Sequence, residues 1–425
     1  MRLKNLKQQI TDSYKKLRAT NIISNFINLS SIQLSNTLLI ILTIPIITRL
    51  VGIGEFGIIM FASRFSQLAG GIINYGTGQS GVRDVAANLN NNKKLSTVFY
   101  NTLSIRLIIF FLFAVVLFVL YKLEIQYFTY ILLAVTMVLA EVLNPLFFFI
   151  GAEKLKVFNL ANLVCNAVTI ILIIALIKGP KDAGLVNLIL GGVNAITYGG
   201  LLIYIISTFN LSFAFPLKTD LLKIGRDNFY LTTNNISVQL QQSIMIFALT
   251  RFEVTAILGA YSLCDRIIGQ CRNLLITISN AIYPNCVHLY NQEVALWNAY
   301  RKKMKYLIAG LFFCGSIVLF VFADFIIYTL SKEHNPTAVI FLKTMALVPA
   351  ISALNVLNVL DLLLKNNTAY IFKIAIILLV IAATTAFVLL KYNQFLFVGT
   401  FTLIVETSAW LMYEYIIKKP ALKNA

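Results

Sequence analysis

The sequence predicts an all-α integral membrane protein with twelve transmembrane helices in two six-helix lobes. The chain of 425 residues is 59% hydrophobic, has a mean hydropathy of +0.81 and is only 12% charged, whereas a soluble domain has about a quarter charged residues. Apolar runs of about 20 residues, the length of a membrane helix, recur along the chain. No alternating pattern of about ten residues indicates a transmembrane barrel. Finally, one stretch of sequence returns about half a chain later, which predicts the two lobes.

Short turns rich in Gly, Pro, Asn and charged residues separate the apolar runs. One of these turns, Gly52–Glu55, divides the first two predicted helices. The twelve helices are placed at residues 21–49, 57–81, 97–121, 126–150, 158–178, 184–206, 227–250, 257–282, 304–330, 336–363, 371–391 and 395–417.

The charge of the loops predicts the orientation. Most of the Lys and Arg residues outside the apolar runs fall in the connections of one side, together with the basic N-terminal segment and the residues after the last helix. Positively charged loops remain in the cytoplasm, so both termini are expected there and the number of spans is even. Residues 1–20 are amphipathic and too polar for a signal peptide, so this segment is expected to be retained.

The repeated stretch is Thr48–Arg64, TRLVGIGEFGIIMFASR, which returns as Thr250–Arg266, TRFEVTAILGAYSLCDR. A Thr-Arg pair, a Gly eight residues past that Arg and a second Arg seven residues past the Gly match without a gap. Four matches in register indicate an internal duplication. For the first arginine of each copy, Arg49 and Arg251, a position at the membrane–water boundary is an equally good explanation.

The longest connection in mid-chain predicts how the chain is divided. Residues 207–226 are assigned to a cytoplasmic linker between an N-terminal lobe, 1–206, and a C-terminal lobe, 227–425. Because six is an even number, both lobes have the same orientation. They are therefore expected to be related by a pseudo-two-fold axis along the membrane normal, as in transporters with parallel repeats.

Five basic residues lie inside apolar runs, where each costs about 2.5–3.5 kcal/mol on insertion scales unless it faces water or a partner. They are Arg64, Arg106, Arg266, Arg272 and Lys343. Arg64 and Arg266 lie seven residues past the turn glycines, about 10 Å deep at 1.5 Å per residue, and the duplication predicts that they face each other. We expect all five to contribute to an anion-binding site. The alternatives are an internal ion pair, such as Arg266 with Asp265, and side chains that extend to the membrane surface.

Four acidic residues also lie deep in apolar runs. They are Glu141, Asp265, Asp324 and Glu406. Glu406, near the centre of the twelfth helix, is the first candidate to carry a coupling proton or to bind Na⁺, and Glu141 and Asp324 are further candidates. The alternative is neutralisation by a neighbouring Lys or Arg. Asp361 lies near a helix end, where we expect it to be solvated.

Amide side chains are concentrated on the first and seventh predicted helices. They are Asn21, Asn25, Asn28, Gln33, Asn36, Asn228, Asn234, Asn235, Gln239, Gln241 and Gln242. In a membrane helix such amides either hold helices together or line a polar cavity suited to sugar hydroxyls. The sequence leaves both explanations open.

The sequence excludes several other classes of function. It contains no nucleophile–base set, no phosphate-binding glycine loop and no metal-ligand cluster, so we expect neither an enzyme nor a metal or organic cofactor. The five cysteines lie in or near apolar runs without a CxxC spacing, which is typical of small core residues. The net charge of +18 is spread over many loops rather than one basic arm, which disfavours nucleic acid as a partner.

One stretch resembles a known family. It comprises Ile46–Gly52 with its Arg-x-x-Gly ending, the turn Glu55-Phe56-Gly57, and the glycine-rich Tyr75–Asp84, YGTGQSGVRD. This pattern resembles the polysaccharide (O-antigen type) flippase branch of the multidrug/oligosaccharidyl-lipid/polysaccharide exporter superfamily. The length of the chain and the layout of twelve helices extend the resemblance beyond the motif.

The resemblance implies a function. Such proteins move undecaprenyl-pyrophosphate-linked sugar repeat units from the cytoplasmic to the periplasmic leaflet of the bacterial inner membrane, by alternating access around a cationic cavity. The implied partners are the lipid-linked glycan, membrane lipids, and the polysaccharide polymerase and chain-length proteins, and the implied coupling is to H⁺ or Na⁺. One alternative is a cation-coupled multidrug exporter, which the excess of basic over acidic residues inside the membrane disfavours. A second is a membrane polysaccharide polymerase, which the short outward loops disfavour.

Overall fold

The computed structural model describes residues 22–252, 254–365 and 367–418, and within these ranges the regular structure is entirely helical. The α-helices in chain order are α1 Ile22–Asn74, α2 Thr77–Asn88, α3 Asn92–Lys122, α4 Phe128–Leu133, α5 Val135–Leu143, α6 Leu146–Gly151, α7 Leu155–Leu176, α8 Leu185–Thr208, α9 Lys218–Arg251, α10 Thr255–Gln292, α11 Val294–Val321, α12 Ala323–Ser331, α13 Pro336–Met345, α14 Val348–Leu364, α15 Thr368–Lys391 and α16 Thr400–Ile417. Two short 3₁₀ helices, Pro180–Asp182 and Phe395–Phe397, precede α8 and α16. The predicted all-α class is confirmed.

Eight helical stretches in the described part of the chain are long and apolar enough to cross a membrane. They are Ser31–Asn88, Asn92–Lys122, Phe128–Gly151, Leu155–Leu176, Leu185–Thr208, Val294–Val321, Pro336–Leu364 and Ala369–Lys391. The first of them contains most of the first predicted span and all of the second. The seventh, eighth and twelfth predicted spans lie on α9, α10 and α16, which are helical but more polar. The count of twelve spans therefore stays a prediction.

The surface of the protein is that of an integral membrane protein. Large apolar side chains point outward along whole helices, for example Phe111, Leu112 and Phe118 of α3, each of which is more than 60% exposed. A continuous exposed apolar surface of this kind is rare on a soluble monomer.

The turn between the first two predicted helices is shorter than predicted. The chain leaves helical geometry only at Gly52, with φ 83° and ψ 161°, and α1 continues on both sides. This positive φ is one that glycine adopts readily and other residues do not. A second break, at Tyr75 and Gly76 (φ 46° and 69°), ends α1 seven residues before the predicted end of the second helix. The second predicted helix is thus divided between α1 and α2.

Two other connections are more helical than predicted. Residues 283–303, between the eighth and ninth predicted helices, are helical except at Glu293, because α10 runs to Gln292 and α11 begins at Val294. Nearly half of the predicted linker, residues 218–226, is also helical, since α9 begins at Lys218. Long polar helix ends of this kind lack an apolar run, the feature on which the predicted boundaries depended.

The fourth predicted span is divided into α4, α5 and α6. The break between α5 and α6 falls at Asn144-Pro145, where Asn144 has ψ 107°. A proline has no backbone N–H and disfavours helical geometry in the residue before it. Arg106 of α3 compensates for this break, because its guanidinium donates to the carbonyl oxygen of Asn144 at 2.7 Å.

The N-terminal and C-terminal halves meet along α1, which packs against α9, α10 and α12. Their closest approach joins the two glycines of the repeat. A Cβ atom placed on Gly57 would lie 2.6 Å from the backbone nitrogen of Gly259, and one placed on Gly259 would lie 2.1 Å from the carbonyl oxygen of Ile53. Earlier on α1, before Gly57, the Thr48 hydroxyl donates to the carbonyl of Leu330 on α12 at 2.9 Å. The two copies of the repeated stretch therefore lie side by side.

Candidate functional site

Two cavities flank the contact between α1 and α10. The N-cavity, of about 690 Å³, is lined by residues of α1, α2, α5, α7, α8, α9 and α10, including Asn36, Glu141 and Gln239. The C-cavity, of about 610 Å³, is lined by residues of α1, α9, α10, α14 and α16, including Arg64, Arg272 and Glu406. Arg266 lines both cavities. Both volumes fall within the range of about 300–1,000 Å³ that is usual for small-molecule sites.

Arg64 lies in the C-cavity wall and is neutralised by an acidic residue from the other half. Its guanidinium contacts a carboxylate oxygen of Asp265 at 2.5 Å, and the Asp265 side chain is only 5% exposed. A second, longer hydrogen bond of 3.5 Å reaches the amide oxygen of Gln67. Arg64 therefore joins α1 to α10 as well as lining the cavity.

Arg266 is next to Asp265 in the chain but does not pair with it. Among the described residues, no carboxylate oxygen lies within 4.0 Å of the Arg266 guanidinium. Its side chain is half-buried and lies at the boundary between the two cavities. The alternative expectation, an ion pair between Arg266 and Asp265, is wrong, because Asp265 faces Arg64 instead.

Arg272 faces Glu406 across the C-cavity. The two side chains form an ion pair of 2.7 Å and are 20% and 18% exposed. The Nε atom of Arg272 is buried and has no hydrogen-bond partner. The carboxylates of Asp265 and Glu406 thus offset two of the three arginines, and Arg266 carries the remaining positive charge of the C-cavity.

The other two predicted cations lie elsewhere. Arg106 is 1% exposed and outside the lining of both cavities; besides Asn144 it donates to the Thr77 hydroxyl at 2.8 Å, and it lies over the Phe147 ring at 5.1 Å. Lys343 is exposed and lies over the ring of Phe320 at 5.8 Å. The structure brings Arg64, Arg266 and Arg272 together and places Arg106 and Lys343 apart from them.

The three candidate coupling acids also differ in their surroundings. Glu141 lines the N-cavity and accepts hydrogen bonds from the amides of Asn74 at 2.5 Å and Asn144 at 3.2 Å. Glu406 is paired with Arg272, as the alternative of neutralisation by a neighbouring cation expects. Asp324 is exposed on the first turn of α12 and lines neither cavity.

Asp361 corrects a further expectation. It was expected to be solvated, but it is 1% exposed and surrounded by donors. It accepts from Trp297 Nε1 at 2.7 Å and forms ion pairs with Arg301 at 2.7 Å and Lys365 at 3.3 Å. This cluster joins α11 to α14 at the helix ends that were predicted to be cytoplasmic.

Amides are the main polar groups of the N-cavity. Those in its lining are Asn36, Gln67, Asn74, Gln79, Asn162, Asn166, Asn194, Asn235 and Gln239. The sequence analysis singled out Asn36, Asn235 and Gln239 as amides and missed the other six: Gln67, Asn74, Gln79, Asn162, Asn166 and Asn194. The spacing of Asn162 and Asn166 in an apolar helix was the available signal, because residues i and i+4 share one helix face. Of the predicted group, Asn21 lies outside the described residues.

The fold is similar to that of solved membrane transporters of the multidrug/oligosaccharidyl-lipid/polysaccharide (MOP) superfamily. The chain is similar to an inward-facing multidrug resistance MATE family transporter of that superfamily, with a TM-score of 0.68, 13% identity and coverage of 92% of this chain and 99% of the other. It is also similar to the MATE multidrug transporter DinF-BH, whose structure is that of a complex (TM-score 0.60, 15% identity, coverage 94% and 96%). A third similar structure is a MOP superfamily transporter from Pyrococcus furiosus, described as having a binding pocket of reverse polarity (TM-score 0.57, 14% identity, coverage 94% and 96%).

The sequence itself gives a narrower assignment. The model of the polysaccharide biosynthesis protein family matches residues 22–290, which is more than half of the chain. The chain therefore belongs to this family, and the resemblance to its flippase branch is confirmed at the level of family and superfamily. No curated protein matches the sequence.

Proposed function

We propose that this protein is a flippase for lipid-linked sugars. It moves undecaprenyl-pyrophosphate-linked oligosaccharide repeat units from the cytoplasmic to the periplasmic leaflet of the bacterial inner membrane. Two findings support the proposal: the family is one of polysaccharide biosynthesis, and the fold is that of MOP superfamily transporters.

The observation that carries the proposal is the position of Arg266. It lines both cavities and has no carboxylate partner among the described residues, while Arg64 and Arg272 are close by and already paired. A guanidinium presents a planar fork that matches phosphate oxygens and retains its charge at neutral pH. A pyrophosphate is common to all such lipid donors, so a fixed arginine site serves any sugar that is attached.

The contacts between the halves support a mechanism of alternating access. Thr48, Arg49 and Gly57 of α1 contact Leu330, Thr329 and Gly259 of the C-terminal half. These contacts close one end of the interface, the end that the loop charges assign to the periplasm. In the proposed cycle the pyrophosphate enters from the cytoplasmic end, the two six-helix lobes rock about this contact, and the lipid chain stays in the bilayer.

The pair formed by Arg272 and Glu406 offers a coupling step. An incoming pyrophosphate competes with Glu406 for the Arg272 guanidinium. A Glu406 carboxylate released in this way is free to take up H⁺ or Na⁺, and so links substrate binding to an ion gradient. Glu141 is the second coupling candidate because it is an acid in the N-cavity.

The alternative function is cation-coupled multidrug export. It is favoured by the MATE transporters that share the fold and by Glu141, an acid that an organic cation could contact in the N-cavity. The unpaired positive charge of Arg266 between the two cavities opposes it, because organic cations are repelled there.

Transport by the purified protein separates the two functions. The full chain is reconstituted in liposomes with undecaprenyl pyrophosphate that carries a labelled sugar, and an impermeant reagent reports the fraction of label on each side. The flippase proposal expects the donor to cross and an organic dye cation to be retained. Efflux of the dye without movement of the donor would establish the alternative.

The proposed orientation has its own test. Single cysteines near Lys122, Lys332 and Lys391, in a chain without native cysteines, are expected to react with an impermeant thiol reagent on intact cells. A cysteine near Lys154 is expected to remain unlabelled. The reverse pattern would contradict the assignment of the closed end to the periplasm.

A further inference from the structure

We infer that the N-cavity binds the first sugar residues of the donor and selects uncharged sugars over acidic ones. This inference rests on the proposed function and assigns a role to the cavity that the arginine site leaves unexplained. Because Arg266 lines both cavities, a pyrophosphate bound to it lies at the entrance of the N-cavity. The sugar attached to that pyrophosphate then has the N-cavity as the adjacent space.

The lining of the N-cavity fits a neutral carbohydrate. Nine amide side chains line it, together with the hydroxyl-bearing side chains of Thr43, Ser63, Ser66 and Tyr198. An amide offers both donors and acceptors, as a sugar hydroxyl does. Polar groups that converge on a largely pre-formed space are the usual basis of small-molecule specificity.

Several of these amides are already used to hold helices together. Asn162 and Asn166 both donate to Asn36, at 2.9 and 3.2 Å, and Asn166 also donates to Ser35. These bonds join α1 to α7 and fix one wall of the cavity. They provide a rigid support for a ligand, but they are not themselves an indication of one.

Gln239 provides the independent indication. Its amide oxygen is buried and has no hydrogen-bond partner, although the side chain lines the cavity. A buried unpaired acceptor is costly and needs an explanation. The Gln239 amide packs directly over Gly71, where an added Cβ would lie 2.5 Å from its nitrogen. A hydroxyl donor on a bound sugar would supply the missing partner after a small rotation of the side chain.

Charge accounts for the selectivity. The charged residues in the N-cavity lining are Glu141 and Arg266. When the donor is bound, Arg266 is engaged by the pyrophosphate. The carboxylate of Glu141 then makes the electrostatic potential in the rest of the N-cavity negative. A hexuronic acid would bring a second negative charge into this low-dielectric space without a free cation, whereas a neutral sugar meets only hydrogen-bonding groups.

The test measures the contribution of the sugar by itself. The full chain in lipid nanodiscs is titrated with three probes: undecaprenyl pyrophosphate alone, the same lipid with one N-acetylhexosamine, and the same lipid with one hexuronic acid. We expect the neutral sugar to tighten binding about tenfold over the bare lipid, equivalent to about 1.4 kcal/mol. The hexuronic acid is expected to give no gain. Equal gains for the two sugars would overturn the selectivity.

Gln239→Leu is expected to remove most of the tenfold gain and to leave binding of the bare lipid unchanged. The matched control is Asn234→Leu on the same helix, because the Asn234 oxygen is also buried and unpartnered but lies outside the lining of both cavities. This control is expected to retain the full gain. A full gain in Gln239→Leu, with the protein folded as judged by its melting curve, would overturn the sugar site.

The same titration distinguishes failure of this inference from failure of the proposed function. The affinity for the bare lipid reports the arginine site, and the ratio between sugar-bearing and bare lipid reports the N-cavity. Unchanged binding of the bare lipid by Arg266→Gln would contradict the anion site. An unchanged ratio in Gln239→Leu would contradict the sugar site even if the anion site holds. Gly71→Ala, which displaces the Gln239 amide, is expected to lower the ratio as well.

Discussion

The two copies of the repeated stretch have matching residues but different partners. Arg64, in the first copy, is neutralised by Asp265 at 2.5 Å. Arg266, in the second, has no carboxylate within 4.0 Å among the described residues, although it follows Asp265 directly in the chain. The repeated stretch therefore supplies two arginines to one cavity, and one acidic residue makes them unequal. The first becomes a link between the halves, and the second is left for a ligand.

The same asymmetry extends to the start of each copy. Thr48 and Arg49 donate to the carbonyls of Leu330 and Thr329 across the interface, at 2.9 and 2.5 Å. Thr250 instead donates to Phe247 in its own turn, and Arg251 is exposed. Only the glycines in the middle of the two copies are used in the same way, because Gly57 and Gly259 contact each other. The first copy thus holds the halves together through Thr48, Arg49 and Arg64, whereas the second contributes Arg266, which has no carboxylate partner among the described residues, to both cavities.

The largest expected effect follows from reversing the free charge. Arg266→Glu is expected to reduce export of surface polysaccharide by about 100-fold or more, about 2.7 kcal/mol in transition-state terms, because repulsion adds to the lost attraction. Export is measured in a flippase-null strain with matched membrane levels of the protein. The control is Arg251→Glu, the same change at an exposed position of the same copy, which is expected to export normally.

A larger side chain at Gly259 tests whether the contact between Gly57 and Gly259 holds the halves together. Gly259→Leu is expected to lower the stability of the purified protein by about 3 kcal/mol, since a side chain there meets the backbone of α1 and overpacking is costly. Thermal unfolding in detergent measures the change. Gly310→Ala is the control, because no atom lies within 4 Å of a Cβ at Gly310. Equal melting temperatures for the two variants would mean that the close contact does not hold the halves together.

A double-mutant cycle tests the role of the first arginine as a link. We expect Arg64→Gln and Asp265→Asn to be coupled by about 1 kcal/mol in stability, because a partly buried pair contributes more than an exposed one. Unfolding curves of the wild type, both single variants and the double variant give this energy. Additive effects would show that the contact contributes nothing to the joining of the halves.

The smallest effect is expected outside the two cavities. Lys343→Gln should leave both export and melting temperature unchanged, because the side chain is exposed and lies over the face of Phe320 outside both cavities. Arg106→Gln differs from it: this variant should lower the melting temperature, since the buried guanidinium holds the break at Asn144. Export per folded molecule should be retained in Arg106→Gln. A specific loss of export in either variant would indicate that the substituted residue contributes to substrate binding.

The sequence predicted the all-α fold and the proximity of Arg64 and Arg266, which line the same cavity, because both follow from patterns along the chain. It could not predict which arginine is neutralised. Asp265 and Arg266 are adjacent, yet successive residues on a helix point about 100° apart, so adjacency does not make a pair. The role of Arg106 depends on a break in another helix, at Asn144, and such a contact leaves no local signal.

The polar helix ends were missed for a related reason. α9 begins with Lys218, Thr219 and Asp220. The first half of α11 carries the basic residues Arg301, Lys302, Lys303 and Lys305, so in both helices the continuous apolar run begins later than the helix. The cavities depend on how several helices assemble, and a helix-by-helix analysis could only suggest them from the amides of α1 and α9. Asn162 and Asn166 were visible as a pair on one helix face, but nothing in the sequence showed which neighbour they contact.

The most direct test of the central claim compares the two arginines in one assay. Binding of undecaprenyl pyrophosphate to the wild type, Arg64→Gln and Arg266→Gln is measured in nanodiscs at equal salt concentration. The asymmetry predicts that Arg266→Gln weakens binding about tenfold or more, about 1.4 kcal/mol. It predicts a smaller loss for Arg64→Gln, because Asp265 already neutralises that charge. Equal losses, or a larger loss for Arg64→Gln, would contradict the claim that Arg266 is the arginine left free for the substrate.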